Sequence, residues 1–305
     1  MQDSINGILF IDKEIYFTTF DIIRRIKKNI KDRVKIGHAG TLDPIATGLV
    51  VVLLGKATRI ADIFHCFPKT YRAVFEFGIK SNTDDITGEV MEQCPRNIDI
   101  TRGEMLDILK GFKGIYLTKP PVFSAKKIKG RPAYEYARKN IDIEMKDTQS
   151  IIYDSRLINV RGRQVELEFT VSKGTYIRSI ARDMGDKTGY GCVMKELRRT
   201  SIGNFSVDDA LLQGDISESA VASQILGINE VLYPYCTNHI DYKTLTGKLS
   251  FPEEQCCALP PLSWGQDSSF FIVGDRKSTV LMVIRKDRDD TCRVLYKDDN
   301  RLAAV

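Results

Sequence analysis

Lys35-Ile-Gly-His-Ala-Gly-Thr-Leu-Asp-Pro-Ile-Ala-Thr-Gly48 runs straight into Leu49-Val-Val-Val-Leu-Leu54. The second part is short, apolar, β-branched and bounded by Gly48 and Gly55, which predicts a buried strand. The first part is a loop rich in Gly, Thr and Pro that carries one carboxylate, Asp43. A loop residue on the lip of a core sheet is held in one orientation by a rigid scaffold, so Asp43 stands where a catalytic group could work. Taken alone, an Asp in T-L-D-P reads first as a turn residue whose carboxylate bonds its own backbone.

The wider run shifts that balance. Gly37 to Gly48 closely resembles the G-H-x-G-x-L-D-P-x-A-x-G signature of the TruB family of pseudouridine synthases. Further blocks resemble that family in the same order: Lys69-Thr-Tyr71-Arg72, then Thr118-Lys-Pro-Pro-Val-Phe-Ser-Ala125 with Gly130 and Tyr134-Glu-Tyr-Ala-Arg138. Val171-Ser-Lys-Gly-Thr-Tyr-Ile-Arg178 and Leu197-Arg-Arg199 complete the set, so the resemblance spans roughly residues 5 to 210.

Three stretches depart from the family pattern. The usual K-P-x-G-x-T-S is here Lys13-Glu-Ile-Tyr-Phe-Thr-Thr19, without its Pro and Gly. T-D-T-x-D appears as Ser81-Asn-Thr-Asp-Asp85, and Phe123 stands where Tyr is common. These departures bear on loop geometry and affinity more than on chemistry.

Around these motifs the pattern mixes strands and helices without a regular β-α repeat, which argues for an α+β domain. Gly7 to Asp12 reads as a strand. Thr18 or Thr19 can cap a helix with Phe20, Ile22, Ile23, Ile26 and Ile30 at helical spacing. Thr58 is expected to begin a short helix, and Tyr71 to Ile79 to alternate as a strand. Residues 101 to 112 look helical, Pro120-Pro121 enforces an extended entry to a lysine-rich stretch, and Pro132 can open a helix running through Arg138. Val165, Leu167, Phe169 and Val171 alternate inward after the Arg161-Gly-Arg163 turn. Thr175 is expected to cap a helix carrying Ile177, Ile180, Ala181 and Met184 inward.

Beyond about residue 230, strand-like runs at Ser269 to Val273, Val280 to Arg285 and Cys292 to Tyr296 suggest a small all-β module. The expected architecture is therefore a pseudouridine synthase fold with a mixed, mainly antiparallel central sheet flanked by helices, followed by a small all-β C-terminal domain. The expected domains are residues 1–232, with a basic insertion at about 119–150, and residues 233–305. The position of the second, and Gly247 ahead of its strands, are similar to the PUA domain that often follows this family's catalytic domain.

Composition limits the alternatives. With 305 residues, 43% hydrophobic and 28% charged, the chain is that of a globular protein large enough for two cores. No apolar run approaches the roughly 20 residues of a membrane span and no signal-peptide pattern is present, so a cytoplasmic location is expected. Seven cysteines without a C-x-x-C pair, and histidines at 38, 65 and 239, suggest neither a disulfide framework nor a metal site. No Walker loop or dinucleotide fingerprint is present, and no cofactor is expected.

Net charge is +5, and residues 1–235 carry the whole excess, with 35 Lys/Arg against 30 Asp/Glu. Residues 110–139 hold nine Lys/Arg and a single acid, Glu135, interleaved with Tyr116, Phe123, Tyr134 and Tyr136. A solvated loop is the plain explanation of such a cluster. Cations mixed with aromatic rings also favour phosphate contact with base stacking, and Lys126, Lys127, Lys129, Arg131 and Arg138 are the expected RNA contacts.

The resemblance implies a tRNA pseudouridine synthase acting on uridine 55 in the T arm, a monomer that needs no small-molecule cofactor. It assigns Asp43 as nucleophile, Arg178 as the cation that keeps a desolvated Asp43 ionised, and Tyr71 as the ring covering the flipped uracil. His38 would fill the space left by the nucleotide or contact its phosphate. Tyr176 and Leu197 would line the uracil pocket, with Asp85 near it, and Lys173-Gly174 would shape the turn delivering Tyr176 and Arg178. Other readings stay open: an RNA-binding or tRNA-folding protein without catalysis, an enzyme that releases free uracil, and a pseudouridine synthase acting on another RNA.

Overall fold

The computed structural model describes residues 5–30, 33–95, 97–139, 141–235 and the strands Ser268–Gly274, Val280–Asp287 and Cys292–Lys297. Gly247 lies outside the described residues. In chain order come β1 (Gly7–Lys13), α1 (Thr19–Asn29), β2 (Ile36–Ala39), β3 (Thr47–Leu54) and α2 (Ala61–Cys66). Next are β4 (Lys69–Phe77), β5 (Ile79–Ser81), β6 (Val90–Gln93), α3 (Arg102–Lys110), β7 (Gly114–Thr118), β8 (Lys127–Ile128) and β9 (Arg131–Pro132). Then follow α4 (Ala133–Ala137), β10 (Thr148–Arg161), β11 (Gln164–Val171), α5 (Ile177–Thr188) and β12 (Cys192–Ile202). The remainder comprises β13 (Phe205–Ser206), β14 (Leu211–Leu212), α6 (Glu218–Gln224), α7 (Ile228–Leu232), β15 (Ser268–Gly274), β16 (Val280–Asp287) and β17 (Cys292–Lys297).

Two compact units result, Met1–Phe67 with Ile202–Val305, and Pro68–Ser201. In the first, β3 pairs antiparallel with β1 and with β2, while β1 runs parallel to β14. The all-apolar run Leu49–Leu54 is fully buried, as its sequence predicts for a strand covered on both faces. Ile8, Phe10, Val51 and Leu53 share a core with Phe64, Phe67, Val231 and Leu232, and the Phe10 and Phe205 rings stack 4.7 Å apart. Val280 and Val283 of β16 join the same core, and the Val280 N–H donates to Asn229 Oδ1 at 2.9 Å. The strands β15, β16 and β17 form an antiparallel sheet at the positions expected from sequence.

The helix α1 starts at a capping box: Thr18 Oγ1 accepts from the Asp21 N–H, and the Asp21 carboxylate accepts from the Thr18 N–H. It buries Ile22, Ile23 and Ile26. Phe20 corrects the sequence reading, since it flanks the buried stripe of the helix and is 64% exposed. Helical structure after β3 begins as a 3₁₀ turn at Gly55–Ile60 rather than at Thr58.

In the second unit the strand order is β12-β4-β11-β10-β7, and the pairs β4/β11, β11/β10 and β10/β7 are antiparallel. Val165, Leu167, Phe169 and Val171 are buried as the alternation requires. The strand that contains Tyr71 ends at Phe77, because Gly78 (φ +93°) breaks it before Ile79. Ile177, Ile180, Ala181 and Met184 of α5 are buried, but the residue at its N-cap is Tyr176. Thr175 does not cap the helix; its hydroxyl donates to the Ser172 carbonyl at 3.0 Å, closing the preceding turn.

Candidate active site

Asp43 lies in a turn of the first unit, closed by the Ala46 N–H donating to the Asp43 carbonyl at 3.0 Å. Its side chain is half-buried. The turn is tied to the segment after β1: the Tyr16 N–H donates to the Pro44 carbonyl at 2.8 Å. Lys13, although only 1% exposed, donates from Nζ to the carbonyls of Glu14 (2.9 Å), Phe17 (2.7 Å) and Pro44 (3.3 Å). A buried ammonium is tolerable when its N–H groups meet acceptors, and here it links both loops through their backbones. His38, on β2, is half-buried with its ring 6.3 Å from Phe20, edge-on.

In the second unit, Gly174 (φ +79°) makes the turn that starts α5, and Arg178 projects from its first turn into a buried position. A cation there opposes the helix dipole and must be compensated. Its Nη1 donates to the Thr83 carbonyl (3.1 Å), its Nη2 donates to the Phe123 carbonyl (3.1 Å), and Nε lies 3.8 Å from Asp85 Oδ2. The other Asp85 oxygen accepts from Thr83 Oγ1 (2.8 Å), the Thr87 N–H (2.9 Å) and Thr87 Oγ1 (2.6 Å). The fork thus joins the 81–88 loop to the entry of the basic segment.

Tyr71 sits half-buried on β4 opposite Phe169 of β11, Tyr176 is half-buried at the N-cap of α5, and Leu197 is buried on β12. In the basic segment, Lys127, Lys129, Arg131 and Arg138 are exposed. Lys126 Nζ donates to Thr148 Oγ1, and the Arg138 guanidinium lies over the Tyr134 ring at 5.4 Å. Tyr116 corrects the sequence reading of a stacking ring: it is buried, and its hydroxyl donates to Asp183 Oδ2 at 2.5 Å.

That bond belongs to a network the sequence reading missed. Thr118 Oγ1 donates to Asp183 Oδ2 (2.9 Å), and Arg182 reaches Asp183, Thr118, the Lys119 carbonyl and Asp84 Oδ2, the last at 3.2 Å. Asp84 holds a left-handed backbone (φ +60°), and burial pushes its carboxyl up to about 6 against the pull of Arg182 and Arg178. The available signal is spacing: Arg182 follows Arg178 by one helical turn and so shares its face.

Comparison with known proteins accounts for the motif order. Residues 26–177 match the TruB family pseudouridylate synthase N-terminal domain, and residues 178–232 match the tRNA pseudouridylate synthase B C-terminal domain. A tRNA pseudouridine synthase B of Aquifex aeolicus is 44% identical over 68% of this chain and 72% of its own length. One from Caldicellulosiruptor saccharolyticus is 41% identical over 79% of this chain and 82% of its own.

The chain belongs to the TruB family.

The TruB-family fold extends to solved structures. A Cbf5-Nop10-Gar1 complex contains a chain with a TM-score of 0.67 at 19% identity, covering 97% of this chain and 86% of that one. A chain of an H/ACA RNP bound to a substrate RNA gives 0.64 at 18% identity, covering 98% and 81%. At such identity the likeness speaks for the pseudouridine synthase fold alone. Two departures from the TruB pattern become intelligible locally. Asn82 Oδ1 accepts from the Glu89 N–H at 3.0 Å, a contact that an aspartate oxygen would make equally well. Phe123 meets Arg178 through its carbonyl, which is indifferent to a ring hydroxyl.

Proposed function

We propose that this TruB-family isomerase converts uridine 55 in the T arm of tRNA to pseudouridine, with Asp43 as nucleophile. The reading is carried by Asp43, held in a backbone-locked turn inside the motif where the family places its aspartate. The names of the bacterial relatives support the tRNA substrate. The reaction breaks the bond from C1′ to N1 and joins C1′ to C5 without redox change. A carboxylate can assist such a cleavage as one does in retaining glycosidases. Tyr71 and Arg178 complete the proposed catalytic set, with His38, Asp85, Tyr176 and Leu197 as substrate-binding residues.

The same reading takes the enzyme to be a cytoplasmic monomer, with the basic segment at about 119–150 gripping RNA. It keeps the catalytic domain at 1–232, supported by the family match ending at residue 232, and treats 233–305 as a PUA-like RNA-binding domain. Among the described residues no helix is long and apolar enough to cross a membrane.

Joining C1′ to C5 expels the C5 hydrogen, so an unmodified tRNA transcript with tritium at uridine C5 reports turnover as released label. The wild type is expected to release label from one T-loop site without free uracil, and Asp43→Asn to bind the transcript without releasing any. Label release by Asp43→Asn would refute the nucleophile. Tight binding by the wild type without release would favour an RNA-binding protein or another RNA substrate.

A further inference from the structure

The segment after β1 exposes an unusual amount of apolar surface. Tyr16 is 75% and Phe20 64% exposed, with Ile15 and Phe17 beside them at 43% and 40%. Exposed apolar side chains grouped along one short segment mark interaction sites more often than chance, since folding gains little from them. We propose that Tyr16, Phe17 and Phe20 form an RNA contact surface, separate from the basic segment, on which unpaired nucleobases of the substrate stack beside the Asp43 loop. The inference rests on the proposed action on RNA and adds to it a specific surface.

Three observations point to nucleic acid as the occupant. The first is location: Tyr16 donates its N–H to Pro44, the neighbour of Asp43, and Phe20 packs edge-on to His38. The second is charge. Residues 13–35 hold eight Lys/Arg against three Asp/Glu, and Arg24, Lys27, Lys28, Arg33 and Lys35 are exposed. Rings set among cations suit phosphate contact with base stacking.

The third is the backbone. Tyr16 adopts φ +67°, a left-handed conformation at the position where the TruB pattern has Gly. Bulky residues avoid that region unless the surroundings enforce it, and such strain persists mainly where it serves function. Here the surroundings do enforce it, through Lys13 Nζ on the Phe17 and Pro44 carbonyls and the Glu14 N–H on Gln213 Oε1 at 3.2 Å. The rings therefore stand on a pre-organised base and lose little freedom when a nucleotide binds.

The test is Tyr16→Gly with Phe20→Ser in the full chain, its affinity measured for an unmodified tRNA transcript and for an oligouridylate at several salt concentrations. Each lost ring is expected to weaken binding about tenfold. The salt slope should stay unchanged, because no charge is removed. Phe20→Trp, which keeps a stacking face, should retain wild-type affinity, separating ring loss from local unfolding. Unchanged affinity of the double variant for both RNAs would overturn the inference. So would unchanged affinity with a fall in molecular mass by light scattering, since that would assign the rings to contact between copies of the chain. Failure of the wild type to modify tRNA would sink the proposed function, whereas ring-dependent oligouridylate binding would leave this surface standing. If the wild type bound neither RNA, both would fall.

Discussion

Arg178 Nε stands 3.8 Å from Asp85 Oδ2 with both side chains almost wholly shielded, at 6% and 7% exposure. The same guanidinium reaches the Thr83 and Phe123 carbonyls, so one planar fork joins an acid and two backbone segments. A lysine ammonium keeps the charge but cannot span those directions. Arg178→Lys should therefore lower stability by about 1–3 kcal/mol, the range for buried hydrogen bonds left unmade. It should also cut turnover at least a hundredfold. Urea denaturation and tritium release measure the two effects, and an unchanged midpoint would dismiss the fork as a structural tie.

Asp84 gives a pH dependence of defined sign. Its folded carboxyl titrates near 6 because burial disfavours the charge, against 3.8 for the unperturbed group. A folded state that holds its proton more tightly is favoured at low pH, and that advantage is lost as pH rises through about 4 to 6. Asp84→Asn should flatten this decline, by at most about 2–3 kcal/mol between the two ends. The readout is the difference in unfolding free energy between the two proteins at pH 4 and pH 7. A difference that does not change with pH would show that Asp84 titrates normally.

The readable part of this molecule is the part written in local rules. Leu49–Leu54, the alternation through Val171 and the Thr18 cap each follow from a period or a capping residue, and each lies where expected. Phe20 and Tyr116 defeat the sequence reading for opposite reasons. Phe20 sits near the edge of an amphipathic stripe, where helical period alone does not decide exposure. Tyr116 looks available because cations surround it in sequence, whereas its hydroxyl is claimed by Asp183, 67 residues away. The Asp84, Arg182 and Asp183 network is hidden likewise, because contacts between distant residues leave no local period.

The basic segment can be sorted by what each cation already touches. Lys127, Lys129 and Arg131 are exposed, whereas Lys126 is engaged with Thr148. Replacing Lys127, Lys129 and Arg131 together with Gln should weaken tRNA binding at low salt. It should also reduce the slope of log affinity against log salt by about 2–3, close to one per phosphate contact. Lys126→Gln should change the slope less. An unaltered slope in the triple variant would remove this segment as the electrostatic grip.

Tyr16 allows stability and binding to be moved in opposite directions by one substitution. A left-handed backbone costs an L-residue about 1–2 kcal/mol. Glycine avoids that strain but returns about 0.5–1 kcal/mol to the unfolded chain through its greater freedom. Since the Tyr16 ring is mostly in solvent, its removal forfeits little burial. Tyr16→Gly should therefore raise the unfolding free energy by roughly 0.5–1 kcal/mol, a gain that would ordinarily favour Gly there. Loss of the ring should meanwhile weaken RNA binding, so a more stable protein with poorer affinity is the expected pair of results from urea titration and RNA binding. A destabilised variant would show instead that the Tyr16 ring packs against the fold by more than its backbone strain costs.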